Sequence, residues 1–116
     1  MITIKSIGVF EGVLEVSVMP VLINIVSWIY NEHDKKIVIT SGFRMGDMGV
    51  HGQRPLRGLD IRSRIYSDPN RLCQMVNDRW EYDWVRPEMK CAILHGKDVH
   101  IHLQVHPRTR LKITTM

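Results

Sequence analysis

Cysteine is scarce: only Cys73 and Cys91 occur, eighteen positions apart and without CxxC spacing. Neither a disulfide scaffold nor a thiolate metal module is indicated, and two lone thiols in a reducing compartment are the expectation. Long apolar runs are also missing. The strongest, residues 16–30, falls short of the roughly 20 residues a membrane span needs, and it carries Pro20 and Asn24. It reads as a buried helix, so no membrane insertion is expected. The N-terminus lacks a signal-peptide pattern, since Lys5 precedes a mixed stretch broken by Glu11 and Glu15. Internal repeats, low-complexity tracts and linkers are absent too, which makes residues 1–116 one domain.

Acidic residues are outnumbered, 12 against 16 Lys and Arg, for a formal net charge of +4. That favours a polyanionic partner such as nucleic acid, anionic lipid or bacterial cell wall, without choosing among them. A composition 44% hydrophobic and 24% charged is that of a folded globule rather than a disordered chain.

Local patterning predicts an α+β fold, a small antiparallel sheet with helices packed on one face. Residues 2–18 alternate loosely, with Gly8 and Gly12 as punctuation, and suggest a hairpin. Leu22, Ile25, Val26 and Ile29 recur at helical spacing behind Pro20, which predicts a core helix over 19–32. Residues 36–40 are β-branched and extended. Residues 57–62 read as the next strand. Asp68-Pro69 opens a second helix, with Leu72, Met75, Val76 and Trp80 as its apolar face. Strands over 90–95 and 99–105 flank Gly96-Lys97 as a hairpin. The basic tail from His106 onward reads as peripheral.

Most of the polar chemistry lies in two segments, the glycine-rich residues 41–60 and the His100-Ile101-His102 strand. Strand alternation puts His100, His102 and Gln104 on one face and Ile101, Leu103 and Val105 on the other. Asp60 shares a face with Gly58 and Arg62. If the two strands are neighbours, Asp60 and His102 converge, and His51, on the loop entering the 57–62 strand, can complete a set of two histidines and one carboxylate. Such a set suits a catalytic zinc with one open position, and equally non-haem iron. A lone histidine usually only decorates a surface or core; two at i and i+2 on an apolar strand make that reading the weaker one. Arg54, Arg57, Arg62 and Arg64 form either a carboxylate- or phosphate-recognising rim or a solvated basic edge. Trp80, Tyr82 and Trp84 are either groove walls or core. His95 stays unassigned, close enough in the hairpin to reach the rim of the site.

Thr40-Ser41-Gly42-Phe43-Arg44, then His51 to Asp60, then His100-Ile101-His102 resemble the motifs of the M15 peptidases. These are D-Ala-D-Ala carboxypeptidases and phage L-Ala-D-Glu endopeptidases of the hedgehog/DD-peptidase zinc fold. The resemblance covers residues 36–106 and is closest to small phage-encoded versions. It implies Zn²⁺ held by His51, Asp60 and His102, with His100 assisting proton transfer and Arg44 binding a substrate carboxylate or the oxyanion. The chain departs from the pattern in three places: the His51–Asp60 interval is longer than usual, Gly49 replaces a serine, and Val99 stands where one branch has a glutamate. The implied activity is zinc-dependent hydrolysis of peptidoglycan stem peptides, in phage lysis or wall processing. The enzyme would be made in the cytoplasm of an infected bacterium and act at the cell wall. A metal-retaining binding module for wall or a phage protein is the alternative, and a nucleic-acid partner ranks last.

Overall fold

Alternation in three adjacent strands divides the sheet of this protein into an apolar face and a polar one. The fold is that of a computed structural model, which describes residues 2–4, 18–33, 35–41, 49, 56–97 and 100–112. In chain order the elements are β1 (Ile2–Ile4), α1 (Pro20–Glu32), β2 (Ile37–Ser41), β3 (Gly58–Arg62), α2 (Pro69–Arg79), β4 (Trp80–Glu81), β5 (Ala92–His95), β6 (His100–Gln104) and β7 (Arg110–Leu111). Five strands form one sheet in the order β1-β2-β3-β6-β5, and β4 pairs with β7 in a second. The fold class is α+β. The main sheet is antiparallel from β2 to β5, and β1 joins its edge in parallel with β2. The first arm of the hairpin expected over 2–18 therefore pairs with β2, while residues 5–17 lie outside the described set.

Both helices start at a proline, where the missing N–H would have no helical partner anyway. In α1, Leu22, Ile25, Val26 and Ile29 are all buried, as their spacing predicts. In α2, the Asp68 carboxylate accepts from the Arg71 N–H at 3.1 Å, and Leu72, Cys73 and Val76 turn inward. Trp80 leaves the helix in an extended conformation and packs edge-on against Trp28 at 5.7 Å. These side chains join Ile37, Ile39, Leu59, Ile61, Ile101 and Leu103 in one core on the apolar face of the sheet. Burial of each large aliphatic side chain contributes about 1.5–3 kcal/mol. Among the described residues, no helix is long and apolar enough to cross a membrane.

Cys73 and Cys91 are free and buried, and burial pushes their thiols up to about 11 and about 12. They remain protonated near neutrality and act as small core residues.

Asn77 joins the second helix to the edge of the sheet. Its side-chain oxygen accepts from the N–H groups of Cys91 at 3.0 Å and Ala92 at 2.9 Å, and its amide donates to the Ala92 carbonyl at 2.9 Å. The outward backbone groups of β5 at Ala92 are thereby satisfied, which blunts that edge. Asn77→Ala leaves these groups without a protein partner and lowers stability by about 1–3 kcal/mol, measurable by urea denaturation.

The tail differs from its expected peripheral role. Arg110 and Leu111 pair with Glu81 and Trp80, the Lys112 N–H donates to the Arg79 carbonyl at 2.9 Å, and the Thr109 hydroxyl donates to the Tyr82 carbonyl at 2.8 Å. The reason is Asp83, fully buried, whose carboxylate takes a two-pronged ion pair from Arg108 at 2.8 and 2.7 Å.

Candidate metal centre

Strand register brings the polar side chains together. In the β3–β6 ladder, Asp60 stands directly opposite His102 and Arg62 opposite His100; in the β5–β6 ladder, His95 stands opposite His100. The register of β2 against β3 shifts between Ile39 and Ser41, beside Asp60, an irregularity of the kind that re-aims side chains near functional sites.

The convergence expected of Asp60 and His102 is present. His102 Nδ1 lies 2.9 Å from Asp60 Oδ1, and His95 Nε2 lies 3.4 Å from the same oxygen. One ligand atom from each of Asp60, His95 and His102 falls within 4.8 Å of the others, so the three could hold a metal ion. Two imidazole nitrogens and one carboxylate oxygen are a donor set that zinc accepts. Bonds of about 2.0–2.1 Å in a tetrahedron place ligand atoms about 3.3 Å apart, close to the 2.9 and 3.4 Å separations found here. The same donors also suit other divalent transition metals. Exposure rises across the set, from 9% for the Asp60 side chain through 16% for His102 to 43% for His95. The His95 side is therefore the approach for a ligand.

His102 has an oxygen at each ring nitrogen, Asp60 Oδ1 at Nδ1 and Gln104 Oε1 at Nε2, the second at 3.1 Å. A neutral imidazole has one ring proton and can satisfy only one of two acceptors. Either a second ring proton, which makes His102 a cation that donates to both oxygens, or a metal ion between Nδ1 and the Asp60 carboxylate would resolve the conflict.

His100 sits beside the set. Its Nδ1 is 3.2 Å from the Thr40 hydroxyl, and its ring centroid is 5.8 Å from that of His95. With Nδ1 engaged, Nε2 is the atom His100 offers to a ligand. Gly96 packs against this ring: a Cβ there would stand 3.0 Å from His100 Cδ2, and the backbone φ of +64° already disfavours other residues.

The sequence-derived ligands Asp60 and His102 and the neighbour His100 are thus grouped. His51, Arg44 and Arg54 lie outside the described residues. The third ligand atom found here comes from His95, whose signal was the hairpin register around Gly96-Lys97. The arginine rim is divided. Arg57 is structural, donating from Nε to the Val105 carbonyl at 2.8 Å and from its guanidinium to the Tyr82 hydroxyl at 3.2 Å. Arg62 opposes His100 on the polar face, and Arg64 is exposed. Trp80 and Tyr82 are core residues; Trp84 is half exposed, with the Arg110 guanidinium 4.5 Å from its ring centroid. A groove of about 380 Å³ lies away from the cluster, between the helices and β7, lined by Trp28, Met75, Asp78, Arg79, Leu111 and Lys112.

No family model, curated protein or solved structure matches this chain.

Proposed function

We propose that this protein is a single-zinc peptidase that hydrolyses amide bonds in bacterial peptidoglycan stem peptides, as the resemblance to the D-Ala-D-Ala carboxypeptidase and phage endopeptidase family implies. The observation that carries this reading is the Asp60–His102 pair, opposed in register with His95 at its open side. A divalent ion held there supplies Lewis acidity, lowering the pKa of water towards about 7 and polarising the amide carbonyl. Asp60 contributes the buried negative charge that draws the ion in. His102 contributes the nitrogen facing that carboxylate. The third position belongs to His95 or to the motif residue His51. His100, oriented through Thr40, takes and returns a proton at Nε2. Arg44, an always-charged donor fork, binds a substrate carboxylate.

Elemental analysis of the purified protein, beside His95→Ala, His51→Ala and His100→Ala, tests this. One zinc per chain is expected in the wild type and in His100→Ala. Peptidoglycan digestion is expected in the wild type and lost in His100→Ala. Loss of zinc in only one of the other two variants names the third ligand. A wild type that takes up no metal, even with zinc supplied, overturns the hydrolase reading.

Val99, standing where one branch of the family has its glutamate, favours a second reading: a metal-retaining module that binds wall fragments without cleaving them. Full zinc occupancy with intact stem peptides after prolonged digestion would select it.

A further inference from the structure

The pair Gln104–Lys90 explains how His102 is held. Gln104 is buried, only 7% exposed, and its amide nitrogen donates to the Lys90 carbonyl at 2.7 Å while its amide oxygen faces His102 Nε2 at 3.1 Å. A backbone carbonyl carries no hydrogen, so this amide has one acceptable orientation. Turning it over would set two acceptor oxygens 2.7 Å apart and desolvate both.

The Lys90 carbonyl is itself anchored. The next residue, Cys91, accepts from the Gln104 N–H at 2.9 Å through its carbonyl and donates its N–H to Asn77 Oδ1 at 3.0 Å. A continuous set of hydrogen bonds thus runs from helix α2, through residues 90–92, to Gln104 and the ring of His102.

On the basis of the metal centre proposed above, we infer that Gln104 is a positioning residue: its amide oxygen, locked by the Lys90 carbonyl, keeps the ring proton of His102 on Nε2 and turns Nδ1 towards Asp60 as the metal-ligating atom. A metal-ligating histidine typically donates its other N–H to a carbonyl or carboxylate, which fixes ring and tautomer and raises ligand basicity. Here the acceptor is a side-chain amide two residues along the same strand, within reach because residues i and i+2 share a face.

The test loads the full chain, labelled with ¹⁵N-histidine, with ¹¹³Cd²⁺ alone and reads one-bond couplings by NMR. The expected spectrum shows coupling of cadmium to Nδ1 of His102, with the ring proton on Nε2. Gln104→Leu, of similar volume and without the amide, is expected to weaken cadmium binding about 10–100-fold. Coupling to Nε2 of His102 would overturn the positioning role and leave the metal centre standing. So would unchanged cadmium affinity in Gln104→Leu. Absence of any coupling to His102 would overturn the metal centre and this role together. The wild-type spectrum decides between the two ring nitrogens even if the leucine variant fails to fold.

Discussion

On the proposed peptidase reading, Asp60→Asn and His102→Ala are each expected to yield a folded protein without stoichiometric zinc, with hydrolysis of peptidoglycan reduced at least about 10³-fold. Among the described residues, Asp60 is the only carboxylate in the cluster, and two histidine nitrogens lie 2.9 and 3.4 Å from one of its oxygens. The asparagine keeps the volume and an acceptor oxygen but removes the buried charge, on a residue only 6% exposed, that would hold a dication. His102→Ala removes the most enclosed nitrogen and leaves His95, which is too exposed to retain an ion with the carboxylate alone. Zinc retained in full by His102→Ala would remove His102 from the ligand set.

The same variants carry a thermodynamic signature independent of turnover. An ion that binds the native but not the unfolded chain stabilises by RT ln(1 + [L]/Kd), about 4.1 kcal/mol at a thousandfold excess over Kd. Zinc is therefore expected to raise the melting temperature of the wild type and chelator to lower it, with no such response in Asp60→Asn. A zinc-dependent shift that survives in Asp60→Asn would place the ion elsewhere on the protein.

Period-2 alternation made much of this centre legible. It fixed the faces of His100, His102 and Asp60 from the sequence, because a strand whose other side is Ile101, Leu103, Leu59 and Ile61 has only one way to face the core. The two helices were equally legible from prolines and 3.6-residue spacing. His95 was not, because its place depends on hairpin register, and a one-residue slip sends every side chain to the opposite face. The partnerships of Asn77 with Cys91 and Ala92, and of Asp83 with Arg108, were invisible for another reason. They join residues 14 to 25 positions apart through a few polar contacts that no periodicity announces. The basic tail looked like a solvated face because Arg108 and Arg110 carry no mark of the acids they meet.

That tail supplies the second large effect. Arg108→Ala leaves the Asp83 carboxylate enclosed with, among the described residues, only Arg86, 3.1 Å away and 45% exposed, to pair it. Removing one partner of a buried ion pair strands the other charge, and the melting temperature is expected to fall by at least about 10 °C at pH 7. Arg86→Ala, which leaves the two-pronged Arg108 contact intact, should cost much less. The hydrogen bonds from Arg108 hold the Asp83 carboxyl well below the usual carboxylate range. A group whose native pKa is depressed adds stability that is complete above its unfolded value and is lost as pH falls towards the native one. For Asp83 that loss begins below about pH 4. His106, also depressed, chiefly by burial and then by the Arg108 and Arg57 charges, begins its loss near pH 6.5. The wild type should therefore weaken in two steps on acidification. Arg108→Ala, which returns Asp83 towards its ordinary value, should unfold at a higher pH. Because Val105 and His106 directly follow β6, with the Val105 N–H bonded to the Arg57 carbonyl at 2.8 Å, this clamp also secures the strand that carries His100, His102 and Gln104. Zinc affinity in Arg108→Ala is accordingly expected to fall alongside stability, read by competition with a chromogenic chelator below the melting transition. Wild-type zinc affinity in a destabilised Arg108→Ala would show that the clamp secures the fold without reaching the metal site.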